Sequence, residues 1–364
     1  MIDFASDNSV GASPRILDAL VAANNGAVPA YGHDPFTARA RSLLNDVFEC
    51  EAEAFLVATG TAANALALGA VTPPWGAVFC HHQAHIANDE CGAPEMFTAG
   101  AKLVGVDGAN GKIDPLAFER ALAAFSSGAV RQVQPATVSL SQATECGTLY
   151  DCGETAALAA IARRRNMSVH MDGARFANAL VALGCTPARM SWKAGVDVLS
   201  FGASKNGTLA CEAVIFFDKA KAASFAYQCK RAGHILSKGR LLGAQMCAYL
   251  ADGHWLDLAR VANQRAGDLA QGIAATPGMR LPWTTGGNQL FPIISHRIDE
   301  ALKRAGMRYH DWGNRGLVFA GPPKPDEKLV RLVTSFATSS GDVLAFLAVA
   351  RESMSNELQP QREA

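Results

Sequence analysis

The chain has 364 residues, and its 33 Lys and Arg balance its 33 Asp and Glu, so the formal net charge is zero. This balance argues against a strongly basic nucleic-acid binder and against an acidic solvating tail. With 49% hydrophobic and only 18% charged residues, the chain can bury a large core, and other subunits are expected to cover part of its weakly charged surface.

Short apolar runs alternate with Ala-rich helical patterns, which is typical of parallel βαβ units and predicts an α/β fold. In the first two thirds of the chain, the pattern predicts helices over 15–24, 60–71, 115–125, 153–165 and 173–183. It predicts strands over 54–57, 77–80, 102–106, 136–141, 167–171, 196–201 and 213–217.

A helical pattern over 240–271 leads to a Pro277-Gly278 break, after which strands at 289–294, 308–312 and 329–336 mix with helices near 295–305 and 341–354. The final segment SNELQPQREA is polar and expected to be frayed. The sequence therefore predicts an N-terminal arm over 1–14 and a large cofactor-binding domain over 15–245, with a mostly parallel central sheet. A linking helix and a smaller C-terminal α+β domain are predicted over 246–364.

The nine cysteines show neither a CxxC pair nor the Cys and His spacing of a zinc site, so no metal site is predicted. Because their number is odd, we interpret them as buried thiols in a reducing compartment. The segment MIDFASDNSVGASP lacks the features of a signal peptide, and no run of 18 apolar residues predicts a membrane helix. The expected location is the cytoplasm, with no membrane or nucleic-acid partner.

Three polar clusters follow predicted strands, at the edge where open α/β sheets bind ligands. Gly60-Thr61-Ala62 suits a phosphate at a helix N-terminus, with an N-cap by Thr61 as the alternative. Asp172, in HMDGAR, is either a paired buried carboxylate or the N-cap of the helix over 173–183. Lys205, in the turn after the strand at 196–201, either forms a Schiff base or is solvated.

Together these clusters match the groups that hold pyridoxal 5'-phosphate (PLP). An Asp keeps the pyridine nitrogen protonated so that the ring accepts electrons, a Lys bonds the aldehyde, and a helix N-terminus holds the phosphate. Asp172 and Lys205 follow consecutive predicted strands, which brings them to the same edge of the sheet. The sequence therefore predicts PLP as the cofactor.

Nearly end to end, the chain resembles the L-threonine aldolase family of fold-type I PLP enzymes, and most of all its low-specificity bacterial branch. The resemblance is carried by FASDNSVGASP, AYGHDPFTARA, GTAAN, HQAHIANDECGAPE, QATECGTLY, HMDGARFANA, WKAGVDVLSFGASKNG and VRLVTSF. HMDGAR combined with SFGASKNG is specific, whereas GTAAN alone is not. The resemblance implies a transferase-like fold of type I and retro-aldol cleavage of L-threonine, L-allo-threonine or a related β-hydroxy-α-amino acid such as phenylserine. It also implies a homodimer or homotetramer with shared active sites.

The resemblance also implies roles for single residues. Lys205 is the expected Schiff-base lysine and Asp172 the partner of the pyridine nitrogen. The phosphate would be bound by Gly60, Thr61 and Ala62, assisted by Ser204 or by a basic residue of a neighbouring subunit. Arg240 is the candidate for that residue, with a solvated basic turn as the alternative.

Further residues are implied around the substrate. His85 is expected over the cofactor ring, unless it is only a hydrogen-bonded loop histidine. Arg175 would contact the cofactor phenolate or the substrate carboxylate. Arg331, in the apolar strand LVRLVTSF, would hold that carboxylate bidentately, or else form a structural salt bridge. Ser6, beside Asp7 in the N-terminal arm, and Tyr31, from an adjacent subunit, complete the predicted substrate site.

The loop over 142–147 departs from the family. Many members carry a His there, but this chain reads Gln142-Ala143-Thr144-Glu145-Cys146. The base that acts on the substrate hydroxyl is therefore open among His85, Glu145 and a water held by the phosphate. A Glu would need a raised pKa or a water relay to act near neutral pH.

Other functions stay open at this level. The same cofactor groups support β-elimination or amino transfer, and a non-catalytic PLP-binding protein would need only Lys205 without a substrate site. A nucleotide-binding enzyme is disfavoured, because no G-x-G-x-x-G follows the first strand and there is no Walker lysine.

Overall fold

A computed structural model describes residues 2–313 and 316–355, so most of the predicted frayed C-terminal segment lies outside the described residues. The helices are α1 (Pro14–Ala23), α2 (Pro35–Phe48), α3 (Gly60–Val71), α4 (His85–Asn88), α5 (Ala93–Phe97), α6 (Pro115–Ala123), α7 (Cys152–Arg163), α8 (Phe176–Leu183), α9 (Pro187–Met190), α10 (Phe225–Arg231), α11 (Arg240–Leu250), α12 (His254–Ala274), α13 (His296–Arg304) and α14 (Ser340–Ser355).

The strands are β1 (Glu53–Val57), β2 (Gly76–His81), β3 (Lys102–Val106), β4 (Gln134–Ser141), β5 (Ser168–Gly173), β6 (Val198–Phe201), β7 (Glu212–Phe216), β8 (Met279–Arg280), β9 (Gln289–Leu290), β10 (Ile293–Ser295), β11 (His310–Asp311) and β12 (Glu327–Val333). Short 3₁₀ turns include Asp7–Ser9 and Ser204–Asn206.

The larger sheet has seven strands in the order β1-β7-β6-β5-β4-β2-β3. Strands β3, β2, β4, β5 and β6 pair in parallel, which confirms the predicted α/β fold with a mostly parallel sheet. Strand β7 is antiparallel to both β6 and β1. The short connection from β6 to β7 explains this, because parallel neighbours need a crossover of a dozen residues or more.

The smaller sheet confirms the predicted second α+β unit. Its strands follow the order β11-β12-β10-β8, and β9 also pairs with β12. The N-terminal arm is fixed to this unit, since the Phe4 amide donates to the carbonyl of Arg308 and the Val333 amide donates to the carbonyl of Phe4, both at 2.8 Å. The Phe4 ring packs edge-on against Phe346 at 5.3 Å. The N-terminal arm is therefore anchored on the small unit by backbone hydrogen bonds and an aromatic contact.

Several details differ from the sequence-based prediction. Helix α2 was not predicted, although Asp34 caps it by accepting the Thr37 amide at 2.8 Å and Pro35 occupies its first turn. The predicted helix over 240–271 is broken into α11 and α12, because Asp252 and Gly253 adopt left-handed backbone angles with φ of 54° and 72°. The predicted domain boundary after residue 245 falls inside α11, and the division into domains stays a prediction.

Candidate active site

A cavity of about 430 Å³ opens at the carboxyl ends of the strands in the larger sheet. Its walls come from the segments that follow β1, β2, β4, β5 and β6, where ligands bind in open α/β folds. The cavity brings together seven of the predicted site residues: Gly60, Thr61, His85, Asp172, Arg175, Ser204 and Lys205.

Other predicted site residues lie outside the lining of this cavity. Ala62 is buried within α3, and its amide donates to the Thr59 hydroxyl at 3.2 Å. Thr59 is therefore the N-cap of α3, and the alternative that Thr61 caps the helix is wrong. Tyr31 is exposed beside Lys230, whose ammonium lies 5.1 Å from the centre of its ring. The roles predicted for Tyr31 and Arg240 concern a neighbouring subunit and stay predictions.

Arg240 has partners in its own chain. Its Nη1 donates to the backbone carbonyls of Ala23, Asn25 and Gly26, at 3.1, 3.2 and 3.0 Å. These contacts fix Arg240 to the loop after α1 and leave other guanidinium N–H groups for further partners.

Asp172 lies near the carboxyl end of β5 and is buried. Its Oδ2 accepts from Asn64 Nδ2 at 2.8 Å, and its Oδ1 accepts from the Ala174 amide at 3.0 Å. Helix α8 begins only at Phe176, so the alternative that Asp172 caps a helix over 173–183 is wrong. Both donors are neutral, which leaves the carboxylate able to hold a cationic ring nitrogen.

A network that sequence analysis missed joins Asp172 to His85. Asn64 Nδ2 also donates to Glu90 Oε1 at 2.8 Å, and His85 Nδ1 lies 2.8 Å from the same oxygen. The hydrogen bond to Glu90 raises the pKa of His85, and burial raises the pKa of Glu90. Since Nδ1 is occupied by Glu90, Nε2 is the ring nitrogen left for other partners. The sequence signals that could have revealed this network are the polar residues Asn64, in GTAAN, and Glu90, in HQAHIANDECGAPE.

Lys205 lies in the 3₁₀ turn after β6 and is partly buried in the cavity wall rather than extended into solvent. Burial and the neighbouring Arg175 lower the pKa of its ammonium, while Asp7, Asp172 and Glu212 oppose them. A lowered pKa suits a nucleophilic amine. Glu212, which sequence analysis missed, is buried and accepts the Ala203 amide at 2.6 Å, so it also fixes the lysine turn.

Aromatic packing and the glycine at position 202 hold the turn that carries Lys205. Phe201, at the end of β6, packs against Phe176 at 5.7 Å and against Trp255 at 5.5 Å. The next residue, Gly202, lies so close to the neighbouring loop that a Cβ would meet the carbonyl oxygen of Ala174 at 2.5 Å. The turns that carry Lys205 and Arg175 are therefore packed backbone against backbone.

We expect Gly202→Ala to destabilise the protein by about 1–3 kcal/mol, because the added methyl has to push two backbones apart. Catalytic activity of the site should fall with it, since the displaced turn carries Lys205. Gly267→Ala is the matched control. A Cβ at Gly267 in α12 has open space, so this change should stabilise by up to about 1 kcal/mol through helix propensity. Thermal unfolding of both variants checks the prediction, and equal melting temperatures would contradict it.

Arg175 is held by the N-terminal arm. Its Nε and Nη2 donate to the two oxygens of Asp7, at 2.8 and 2.9 Å. Asn288 Nδ2 also donates to Asp7, at 3.0 Å. The predicted contacts of Arg175 with cofactor or substrate must therefore use its remaining N–H groups. Ser6 caps the 3₁₀ turn Asp7–Ser9 in this arm, because its hydroxyl accepts the Asn8 amide at 3.1 Å.

Arg331 lies beside this pair, on β12. Its Nη2 donates to the Ala5 carbonyl at 3.1 Å, and its guanidinium lies 4.9 Å from the centre of the Trp312 ring. Its Nε is buried and has no hydrogen-bond partner among the described residues. Burial and the nearby Arg175 lower its pKa. A buried N–H without an acceptor suits a ligand carboxylate.

The arrangement fits PLP. A buried Asp and a Lys of lowered pKa line the same cavity as the N-terminus of α3, where the first amides have no partner within the helix. A Cβ built on Gly60 meets nothing within 4 Å, so the space above this helix end is open. The fold and the site together define a fold-type I PLP enzyme.

Comparison with known proteins gives the family. A family model described as beta-eliminating lyase matches residues 3–290. A low specificity L-threonine aldolase of Pseudomonas aeruginosa is 42% identical over 86% of this chain and 90% of its own length. Its counterpart from a Pseudomonas sp. strain is 40% identical over 90% of this chain and 94% of its own length. The chain belongs to the threonine aldolases of the beta-eliminating lyase family, and its cofactor is PLP.

One solved structure at 30% identity agrees with this assignment, and a more distant one shares the fold. A threonine aldolase of Leishmania major superposes with a TM-score of 0.89 and 30% identity, covering 97% of this chain and 99% of that one. A protein of Listeria monocytogenes described as a putative L-allo-threonine aldolase shares the fold, with a TM-score of 0.68 and 14% identity over 97% of this chain and 96% of that one.

Three further observations concern metals, thiols and membranes. Among residues 2–313 and 316–355, no group of three or more His, Cys, Asp or Glu is placed to hold a metal ion. All nine cysteines are free, and four are buried: Cys80, Cys146, Cys211 and Cys229. The interpretation of all nine as buried thiols is thus too broad. None of the described helices has the length and apolar character needed to cross a membrane.

Proposed function

We propose that the protein is a low-specificity L-threonine aldolase, which cleaves L-threonine, L-allo-threonine and related β-hydroxy-α-amino acids to glycine and an aldehyde. The observation that carries the proposal is one cavity that combines Asp172 and Lys205 with Arg175, beside the unpartnered N–H of Arg331. The names of the two Pseudomonas relatives support the same substrate class.

Residues of this chain would hold the cofactor at three points. Asp172 would keep the proton on its ring nitrogen, Lys205 would hold its aldehyde carbon, and Gly60, Thr61 and Ser204 would hold its phosphate. When bound, PLP draws electrons away from the bonds at the substrate α-carbon. His85, with its Nδ1 fixed by Glu90, would lie against the ring and restrict its position.

The substrate carboxylate determines which bond breaks. Arg331 would bind it through Nε and the remaining N–H groups, and Arg175 through the edge that Asp7 leaves free. Such a hold would fix the rotation about the bond between the amino nitrogen and the α-carbon, and would thereby select the bond to the β-carbon for cleavage. Ser6 of the arm and Tyr31 of an adjacent subunit are proposed to complete this site.

A substrate panel tests the proposed function directly. L-threonine, L-allo-threonine, phenylserine and their D isomers are incubated with the purified protein, and the released aldehyde and glycine are measured. The expected result is release from several L substrates. Formation of 2-oxobutyrate and ammonia from threonine, glutamate-dependent amino transfer or the absence of any reaction would overturn the proposal in favour of a β-eliminating lyase, an aminotransferase or a non-catalytic PLP-binding protein.

We expect Arg331→Ala to raise KM for L-threonine about 10- to 100-fold, because a charge-assisted hydrogen bond to a carboxylate is worth about 1.5–3 kcal/mol. The concentration of glycine that produces the spectral change of binding should rise by a similar factor. Arg304→Ala is the control, since Arg304 forms an exposed pair with Glu300 in α13. An unchanged response to glycine in Arg331→Ala would show that this arginine has only a structural role.

We further propose that the protein acts in the cytoplasm as a homodimer or homotetramer with shared active sites. Several large apolar side chains are exposed in the single chain, among them Val21, Trp75 and Tyr227, and subunit contacts would cover such surface. Light scattering together with activity tests this proposal. A fully active monomer would overturn it.

A further inference from the structure

Glu145 is a half-buried acid at the cavity that has no part in holding the cofactor or the substrate carboxylate. It lies in the loop after β4 and lines the same cavity as Asp172 and Lys205. Its Oε1 accepts the His85 amide at 2.8 Å and the Ser141 hydroxyl at 2.7 Å. Its Oε2 is buried and has no hydrogen-bond partner among the described residues. One oxygen thus fixes the side chain, and the other is left for a ligand.

The surroundings of Glu145 act on the pKa of its carboxyl in both directions, and the net shift is upwards. Burial raises the pKa of its carboxyl to about 7 and the charge of Asp172 on β5 adds to this, while the bonds from Ser141 and His85 oppose it. Cys80 on β2 and Tyr150, beyond the same loop, also lie within electrostatic range. A carboxylate with such a pKa exchanges protons near neutral pH.

His85 is less suited to accept a proton. Its Nδ1 is engaged by Glu90 at 2.8 Å, and that bond raises the pKa of the imidazole, so the ring carries its proton over a wider pH range. A proton acceptor must be unprotonated at the pH where it works. The open nitrogen of His85 is Nε2, on a ring that is proposed to lie against the cofactor, whereas Glu145 keeps a carboxylate oxygen without a hydrogen-bond partner among the described residues.

We propose that Glu145 is the general base for the β-hydroxyl of the substrate, with Oε2 as the accepting atom. This inference rests on the proposed aldolase function. As Oε2 takes the hydroxyl proton, the electron pair of the O–H bond forms the carbonyl of the aldehyde. The bond between the α- and β-carbons breaks, its electron pair stays with the glycine unit, and the α-carbon takes up a proton. Glu145 then releases its proton to solvent.

The test compares Glu145→Gln with Glu145→His. Gln keeps the shape but cannot accept the proton, so kcat for L-threonine should fall on the order of 10²- to 10⁴-fold. Binding of glycine and retention of the cofactor should be unchanged. His supplies another base at the same place and should recover part of the rate. Glu119→Gln, at an exposed pair with Arg164, is the control and should behave as the unchanged protein.

The pH dependence gives an independent measurement. For the unchanged protein kcat/KM should rise with pH through a midpoint of about 7, because the base works only when deprotonated. Glu145→Gln should lack this rise. Carbon-13 NMR of the holoenzyme labelled at glutamate carboxyls should show a carboxyl that titrates in the same range and is absent from the Glu145→Gln spectrum, which distinguishes it from Glu90, whose pKa is also raised.

Two results would overturn the inference. One is a Glu145→Gln protein with unchanged kcat and pH profile. The other is a holoenzyme spectrum in which no glutamate carboxyl titrates between about pH 6 and 8, a measurement that needs no variant to fold. Failure of the unchanged protein to cleave any β-hydroxy amino acid would instead overturn the proposed function, so the two failures are distinguishable.

Discussion

Lys205→Ala is expected to abolish covalent retention of the cofactor and to lower threonine cleavage at least about a thousandfold. The amine is the group of lowered pKa in the cavity, and alanine offers no nucleophile in its place. The fold should persist, because the turn is fixed by the Glu212 bond to the Ala203 amide at 2.6 Å rather than by the lysine itself.

Borohydride treatment followed by mass spectrometry measures the covalent link. In the unchanged protein, reduction should add the cofactor mass to the peptide that contains Lys205, and in Lys205→Ala that mass should be absent. Lys193→Ala is the control, since Lys193 pairs with Glu49 at the surface, and it should keep both the link and the rate. A Lys205→Ala protein that remains yellow, is fixed by borohydride and turns over at the normal rate would contradict the assignment.

The sequence was sufficient for the parts of the site that lie next to a strand in the chain. Asp172 and Lys205 each follow an apolar run, and in an open α/β sheet that position alone directs a side chain towards the ligand edge. The α/β class followed from the same alternation of apolar runs. Antiparallel β7 was not predicted, because strand direction depends on the length of a connection rather than on the composition of the strand.

The contacts between distant segments could not be predicted. Asp7 and Arg175 are 168 positions apart, and Asn64 and Asp172 are 108 positions apart. Each pair depends on how a helix or an arm docks on the sheet, which no local pattern specifies. For Arg175 the sequence suggested the cofactor phenolate or the substrate carboxylate as a partner, and the structure shows a further, internal partner in the carboxylate of Asp7. The predicted contacts of Arg175 with cofactor or substrate stay predictions.

The balance of charges in the whole chain is repeated locally around the cavity. Arg175, Lys205 and Arg331 lie within electrostatic range of Asp7, and Lys205 also lies within range of Asp172. The cavity therefore holds its own balance of opposite charges, and an anionic cofactor or substrate is bound by individual groups rather than by a field over the whole surface. Substitution of one of these acidic residues should leave a buried cation without its partner.

Asp7→Asn is expected to lower the free energy of unfolding by about 3–5 kcal/mol, the usual effect of removing one partner from a buried ion pair. The side chain of Asp7 is 1% exposed and that of Arg175 is 12% exposed, so solvent does not replace the lost partner. Asp252→Asn is the matched control. It removes an Asp–Arg pair with Arg15 whose aspartate is 83% exposed, and it should change stability by less than about 1 kcal/mol.

The effect of Asp7→Asn should depend on pH. Burial alone would raise the pKa of Asp7, but Arg175, Lys205 and Asn288 outweigh it and lower the pKa of the folded state. A carboxyl with a lowered pKa stabilises the fold above its unfolded pKa and stops doing so as the pH falls through its folded pKa. The difference in stability between the unchanged protein and Asp7→Asn should thus be full at neutral pH and shrink below about pH 4.

Urea unfolding at pH 7 and at lower pH measures this difference, and the same variant tests the link between the arm and the site. Because Asp7 connects the small unit to Arg175, its loss should also raise KM for L-threonine, whereas a purely structural tie would leave KM unchanged in the folded fraction. A constant stability difference between pH 7 and pH 3 would mean that the pKa of Asp7 is the same in the folded and unfolded states, so that Arg175 only offsets the burial of the carboxylate.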